Sequence, residues 1–471
     1  MKILLTGATG YIGKRLLPRL LESGHEVVCC VRDSALFNPQ NETQGKIEII
    51  EVDFEDLESL RKIPQDIEVA YYLIHSMSTH NDFRCIEEKT AQNFRDTISK
   101  TACTQTIYLS GIVNEKDLSE HLSSRLKVEE ILREGIYHLT TLRAGIVIGS
   151  GSASFEIIRD LVEKLPVMVA PQWLNTKCQP IAIRDVLLFL EKSIKKEELY
   201  DQHFDIGGPD VLTYKEMLEG YAEARKMKRW IYTVPVMTPK LSSYWLYFIT
   251  STSYMLASSL VQSMKVEVVC SPNKINDVLK IKPIDYASAL SLTLNAIDDK
   301  RLLSSWKDAL TSSDFRQRLS DFKNVPENGV FKDVRIVKIS DKSETLKRVW
   351  AIGGKTGWYY GNWMWRIRGF MDKLAGGVGI RRGRTHPDRI HAGDALDFWR
   401  VLYANKEKGE IVLFAEMKLP GEAWLSFKIN ADTIEQKATF RPKGLLGRLY
   451  WYSVLPFHGF IFKGMINRIA E

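Results

Sequence analysis

The chain of 471 residues is 45% hydrophobic and 26% charged, with a net charge of +7, which excludes wholesale disorder, collagen-like repeats and a polytopic membrane protein. At about 150 residues per domain this length predicts two or three domains, with ample chain for a large core. The six cysteines include no Cys-x-x-Cys pair and are too few for a disulfide scaffold, so reduced, mostly buried thiols in a cytoplasmic protein are expected. The charge is uneven: residues 331–471 hold 25 Lys+Arg against 14 Asp+Glu, a net +11, and the remainder carries −4. A basic C-terminal third permits contact with an anionic ligand, nucleic acid or a lipid surface; the plainer reading is a solvated basic face.

In chain order, Lys2–Leu5 reads as an apolar strand that leads into glycines and not into a small-residue cleavage site, so no signal peptide is expected. Tyr11–Ser23 has helical periodicity and stops at Gly24. Glu26–Val31 and Ile47–Val52 read as strands, Glu55–Lys62 as a helix and Val69–Ile74 as a strand. Glu87–Ala102 is helical, Thr106–Leu109 extended, Ser124–Arg133 helical and Leu139–Ile148 extended. This alternation implies right-handed βαβ units and an α/β, doubly wound parallel sheet. Residues 151–300 are less regular. Phe155–Lys164 and Arg184–Lys195 read as helices and Asp205–Pro209 as a strand and turn, a substrate-side half threaded back onto the sheet. Leu241–Met264 has 24 residues without a charge, but seven are serine. That argues for buried helices lining a cleft over a bilayer span.

Arg301–Phe322 reads as a polar helical connector and Val325–Gly329 as a boundary. Beyond residue 330 the pattern changes. Seven of the eleven tryptophans lie there, and alternating segments such as Glu410–Met417 and Ala423–Ile429 predict antiparallel strands. The last stretch, Gly444–Ala470, is apolar and aromatic, with Pro456 as an expected break.

Chemistry concentrates in Thr6-Gly7-Ala8-Thr9-Gly10-Tyr11-Ile12-Gly13, a Gly-x-x-Gly-x-x-Gly run between a strand and a helix. The first glycine permits the tight turn and the second admits a pyrophosphate. The third lets helix and strand pack, with the phosphate on free N–H groups at the helix start. A dinucleotide is therefore expected. The second strand ends Val31-Arg32-Asp33; a guanidinium suits a 2′-phosphate and predicts NADP, while Asp33 would favour NAD. Asp53 suits the adenine amino group, or caps the following helix.

The blocks Thr6–Gly13, Val52–Phe54, Tyr72–Met77 and Leu142–Gly149 resemble the atypical branch of the short-chain dehydrogenase/reductase superfamily, nucleoside-diphosphate-sugar epimerase-like, over about residues 1–300. The resemblance implies a Rossmann sheet and a cofactor-binding set of Gly7, Thr9, Gly10, Tyr11, Ile12, Gly13, Arg32, Asp53, Phe54, Ile74, His75 and Ser76. Gly149–Glu156 and Cys178–Val186 resemble the bacterial subgroup that carries an extra C-terminal domain of unknown function. Gly353–Tyr359, Gly376–Arg384, Met417–Leu425 and Leu449–Tyr452 resemble that domain. It implies an α+β START-like fold over 331–471, a curved antiparallel sheet gripping a long C-terminal helix around an apolar cavity. In that case Leu445–Ile466 closes over the cavity and buries most of Tyr450, Trp451, Phe457, Phe460 and Phe462.

The superfamily's Tyr-x-x-x-Lys pair is missing: if Lys127 is the lysine, Ser123 stands where tyrosine should. Lys127, Ser110 and His75 are the remaining catalytic candidates, with a surface helix position as the plain reading of Lys127. Arg143 is expected inside, where it pairs with Asp185 or orients a substrate. His386 and His391, near Asp388 and Asp394, do not make a convincing metal site. The basic runs Arg366–Arg368 and Arg381–Arg384 carry no nucleic-acid motif. The expected activity is reduction of a small apolar carbonyl or quinone-like compound in a cleft walled by Trp173 and Trp245. The alternatives are a non-catalytic NADP-binding redox sensor or ligand-binding module, and a lipid-handling protein at a membrane surface.

Overall fold

The computed structural model describes residues 1–34, 37, 46–74, 83–113, 120–234, 242–246, 250, 258, 261–298, 325–326, 329–377, 379, 384 and 389–471, with backbone alone at 83, 120–121 and 296–298. The described residues divide into two compact units, the first holding 1–34 and 46–298 and the second 325–471 together with Phe37.

The first unit is built on seven parallel strands: β1 Lys2–Leu5, β2 Glu26–Val31, β3 Ile47–Glu51, β4 Val69–Tyr72, β5 Gln105–Gly111, β6 His138–Ala144 and β7 Gln202–Ile206. They lie in the order β7-β6-β5-β4-β1-β2-β3. The near-continuous apolar runs of β1, β2 and β4 fit strands buried on both faces. Helices α1 Gly13–Glu22, α2 Phe83–Ile98 and α3 Glu120–Arg133 make the crossovers. The order reverses between β1 and β4, which puts the ligand crevice at their carboxyl ends. The expected doubly wound sheet is therefore what the chain forms.

Two expected elements differ. Glu55–Lys62 is helical only as a short 3₁₀ turn, Ser59–Lys62. Asp53 Oδ1 accepts the Glu55 N–H at 3.0 Å, and Ser59 Oγ donates to Asp53 O and Asp56 O. These local side-chain bonds compete with a regular helix. The strand expected over Leu139–Ile148 stops at Ala144, and Val147–Ile148 pairs instead with Ile181–Ala182.

Beyond the sheet, α4 Ala153–Lys164, α5 Ile183–Lys192, α6 Tyr214–Ala224 and α7 Tyr286–Asp298 follow. Ser152 caps α4 through the Phe155 N–H, and Thr213 and Glu216 form a capping box on α6. Phe155, Leu161, Met217, Tyr221 and Leu290 form one apolar cluster of this half. Four cysteines, Cys29, Cys30, Cys103 and Cys178, are buried; Cys270 is half-buried and Cys85 exposed.

The second unit is an antiparallel six-stranded sheet with helices. Its elements are β8 Phe331–Lys338, α8 Lys342–Val349, α9 Asn362–Leu374, β9 Ala395–Leu396, β10 Trp399–Asn405, β11 Glu410–Ala415, β12 Gly421–Ile429, β13 Thr433–Pro442 and α10 Gly444–Ala470. The strand order is β8-β13-β12-β11-β10-β9. Phe331 and Phe440 face each other across β8 and β13, and Trp451 of α10 stacks on both rings, at 5.3 and 5.9 Å. Trp358, Trp365, Phe398, Phe462 and Met465 fill the interior.

The helix α10 continues through Pro456, which the sequence marked as a break. The expected burial of its aromatics is also corrected. Trp451 and Phe462 are buried, but Phe457 and Phe460 are 59% and 57% exposed. The helix enters the core with its last turns and leaves most of its first half outside.

Arg400 and Glu416 form an ion pair at 2.8 Å with side chains 0% and 1% exposed. Removing one partner of such a pair strands a buried charge. Glu416→Ala should therefore cost about 3–5 kcal/mol of second-unit stability. Denaturant unfolding followed by tryptophan fluorescence reads this unit preferentially.

Candidate functional site

The glycine loop leaves β1 through Thr6, whose hydroxyl donates to Tyr71 O at 2.8 Å and accepts the Leu73 N–H at 3.0 Å. That ties the end of β1 to the end of β4. Gly7 has φ +66°, and a Cβ there would lie 2.6 Å from Leu73 O. A Cβ on Gly13 would lie 2.3 Å from Gly7 O, so no other residue lets α1 start this close to the loop. Gly10 donates its N–H to Gly7 O at 2.9 Å, and a Cβ on it would meet only that oxygen, at 3.1 Å. Its outer side is open. The Lys14 N–H donates to Gly10 O at 3.1 Å and the Arg15 N–H to Ile12 O at 3.0 Å, which leaves the N–H groups of Tyr11, Ile12 and Gly13 as the donors of the turn among the described residues. This cradle, which a side chain at Gly10 would fill, fits a pyrophosphate.

Ile12 is the N-cap residue of α1, and Thr9 is half-buried beside it. The Arg15 guanidinium lies 4.1 Å over the Tyr11 ring and donates to Ser150 O at 2.8 Å. Tyr11 Oη is buried without a hydrogen-bond partner among the described residues, and burial pushes the phenol up to about 12. It sits against Gly149, where a Cβ would approach it to 2.4 Å.

At the end of β2, Arg32 is exposed, whereas Asp33 is 5% exposed and engaged within the protein. Asp53 is half-buried at the end of β3 and forms the turn described above. Phe54 is buried against Phe94, and its carbonyl accepts from Asn93 Nδ2 at 2.6 Å. Ile74 follows β4, half-buried. His75 and Ser76 lie outside the described residues, as do His386 and Asp388. Asp394 accepts the His391 N–H at 2.7 Å, and no group of three or more potential metal ligands occurs among the described residues.

Ser110 stands at the carboxyl end of β5, 2% exposed, its hydroxyl unpartnered among the described residues. Lys127 is exposed on α3 and pairs with Glu130 at 3.0 Å. Ser123 is half-buried, and Ser124 donates to the buried Glu87. The residue that α3 brings to β5 is Arg125, which the sequence reading missed. A Cβ built on Gly111 would lie 3.5 Å from Arg125 Cδ and 3.6 Å from Nη1. Its Nε is buried without a hydrogen-bond partner among the described residues. Helical spacing could have found it: Leu122, Arg125, Val128, Glu129 and Leu132 make the inward stripe, and Lys127 falls outside it.

Arg143 is inside, but its partner is Glu129, at 2.9–3.0 Å, and not Asp185. Glu129 projects from α3 beside β6, whereas Asp185 is held in the first turn of α5 by Arg184 Nε and the Ile284 N–H, each at 2.9 Å. Trp173 lines a small apolar cavity of about 30 Å³ with Ile158, Tyr214, Leu246 and Met264; Trp245 packs on the same cluster. A more open cleft of about 590 Å³ lies beyond β7, lined by Asp205, Gly208, Cys270 and Lys282. Among the described residues, no helix is long and apolar enough to cross a membrane.

Residues 3–101 match the family described as NAD dependent epimerase/dehydratase, and residues 326–465 match Protein of unknown function (DUF2867). Divinyl chlorophyllide a 8-vinyl-reductase, chloroplastic, of Arabidopsis thaliana is 23% identical over 226 residues, covering 44% of this chain and 54% of that protein. The Cucumis sativus protein of the same name is 23% identical over 223 residues, covering 44% and 52%. The chain thus spans about half the length of the curated relatives it matches. A solved nucleoside-diphosphate-sugar epimerase from Staphylococcus aureus superposes with TM-score 0.50 at 14% identity, over 62% of this chain and 99% of that one, a likeness of fold. The resemblance to nucleoside-diphosphate-sugar epimerase-like short-chain dehydrogenase/reductases is borne out as similarity: residues 3–101 match the NAD dependent epimerase/dehydratase family and residues 326–465 match DUF2867.

Proposed function

We propose that the protein is an NADP(H)-dependent reductase of an apolar compound bearing a carbonyl, quinone or conjugated double bond. The observation that carries this reading is a juxtaposition at the carboxyl edge of one sheet. The cradle is open at Gly10, and two strands away stand the buried Ser110 hydroxyl, which has no hydrogen-bond partner among the described residues, and the Arg125 guanidinium. The name of the plant relatives, a vinyl reductase, supports reduction.

The nicotinamide, when bound, supplies a hydride. The loop N–H groups of Tyr11, Ile12 and Gly13 hold the pyrophosphate. Arg32, exposed while Asp33 is turned inward, grips the 2′-phosphate and selects NADP over NAD. Ser110 hydrogen-bonds the substrate oxygen. Arg125 places a fixed positive charge where negative charge develops. A guanidinium does not give up its proton at neutral pH, so the proton comes from water. Lys127, tied to Glu130 on the exposed face, takes no part in this scheme.

Purified full-length protein, NADPH and a panel of quinones, enones and vinyl-substituted aromatics test the reading through loss of reduced-nicotinamide absorbance. Consumption is the expected result. Tight NADPH binding with no consumption across the panel would replace the reductase with a sensor.

Three substitutions give separate outcomes. Gly10→Val should leave a folded protein with no calorimetric NADPH binding, because its side chain occupies the cradle. Arg32→Ala should weaken NADPH by about 1.5–3 kcal/mol, the scale of a hydrogen bond to a charged group, and leave NADH affinity unchanged. Arg125→Met should lower kcat by about 100-fold with little change in NADPH affinity, read by steady-state kinetics beside calorimetry.

A further inference from the structure

The second unit leaves large apolar side chains uncovered in one region. On α9, Trp363, Ile367, Phe370 and Leu374 are exposed at a spacing that places them on one helix face. On α10, Leu446, Leu449, Tyr452, Phe457 and Phe460 are exposed, Leu446 at 73%. The two helices are joined. Tyr360, just before α9, meets Phe460 edge-on at 5.2 Å, Trp365 lies 6.1 Å from Phe462, and the Arg368 guanidinium lies 6.0 Å over the Tyr450 ring. Monomeric proteins rarely leave this many large apolar side chains open on two packed helices without a use.

The exposed charges of α9 and of residues 444–470 have one sign. From Gly444 to Ala470 there is no Asp or Glu. The single acid of α9, Asp372, is 1% exposed and accepts the N–H groups of Gly379 and Lys418. Arg366, Arg448 and Lys463 are exposed on the same two helices. His458 adds no charge at neutral pH, because burial pulls it down to about 4. Aromatic and leucine side chains beside cations, without exposed acids, match an anionic lipid interface: the rings enter the acyl boundary and the cations meet phosphates. A protein partner would have to supply all the negative charge itself.

We propose that the exposed apolar residues of α9 and of the first half of α10 dock the protein onto an anionic membrane surface. The helix lies in the interface and does not cross it, in keeping with the last turns of α10, which are committed to the core. This inference rests on the second unit alone and stands or falls independently of the reductase reading.

Full-length protein is floated through a density gradient with vesicles of phosphatidylcholine alone, or of phosphatidylcholine with phosphatidylglycerol. The expected result is at least about tenfold more flotation with the anionic vesicles, weakening as salt rises. Leu446→Glu combined with Phe457→Glu changes only exposed positions. It should abolish flotation while circular dichroism and thermal melting stay as in the parent. Hydrogen exchange across 445–460 should slow on anionic vesicles and be fast without them. Absence of flotation at low salt, or flotation unchanged by the double substitution, would overturn the proposal. So would concentration-dependent self-association dispersed by that substitution, which would make the face a contact between copies of the chain.

Discussion

Where β1 leaves the sheet, three pieces of backbone meet with no room for a side chain. Gly7 runs against Leu73 at the end of β4, and Gly13 at the start of α1 runs against Gly7. Thr6 locks the first contact with two hydrogen bonds to β4. The helix therefore begins at the crevice where the strand order reverses, with its free N–H groups directed at that crevice. Arg15, one turn into the helix, then reaches Ser150, so the same point organises the loop after β6.

This constraint was legible in the sequence because it acts on the Cα itself: only glycine satisfies it, and glycines at that spacing between a strand and a helix are uncommon. The strands were legible for a related reason, since a sheet buried on both faces needs unbroken apolar runs. Side-chain partnerships were not. Arg143 needed a carboxylate, and Asp185 and Glu129 both qualify by type. The choice was made by α3 packing beside β6, which no local pattern states. Arg125 was passed over for Lys127 because a family pattern was read along the chain and not around the helix. The 3₁₀ turn after β3 escaped because the competing bonds of Asp53 and Ser59 depend on geometry, not composition.

The second unit shows where composition misleads. The apolar segment Leu445–Ile466 is expected to close over a cavity and bury most of its aromatics, and α10 is buried chiefly at Trp451 and from Phe462 onward. Apolar composition states that water is unfavourable; it does not say whether the remedy is a core or another surface. Pro456 is tolerated because the chain around it is exposed, so the carbonyl left without its helical donor can turn to solvent.

The cysteines carry a practical consequence. Burial pushes the Cys29 and Cys178 thiols up to about 12 and Cys103 up to about 11, and the half-buried Cys270 is raised to about 12 as well. Thiolate, the reactive form, is therefore scarce at these positions near neutral pH, while Cys85 is exposed in the first turn of α2. A maleimide dye added to the native protein would attach at Cys85 without mutagenesis. It would put a single fluorophore on α2, the helix that follows β4, and a covalent handle for surface immobilisation on the unit that carries the glycine loop.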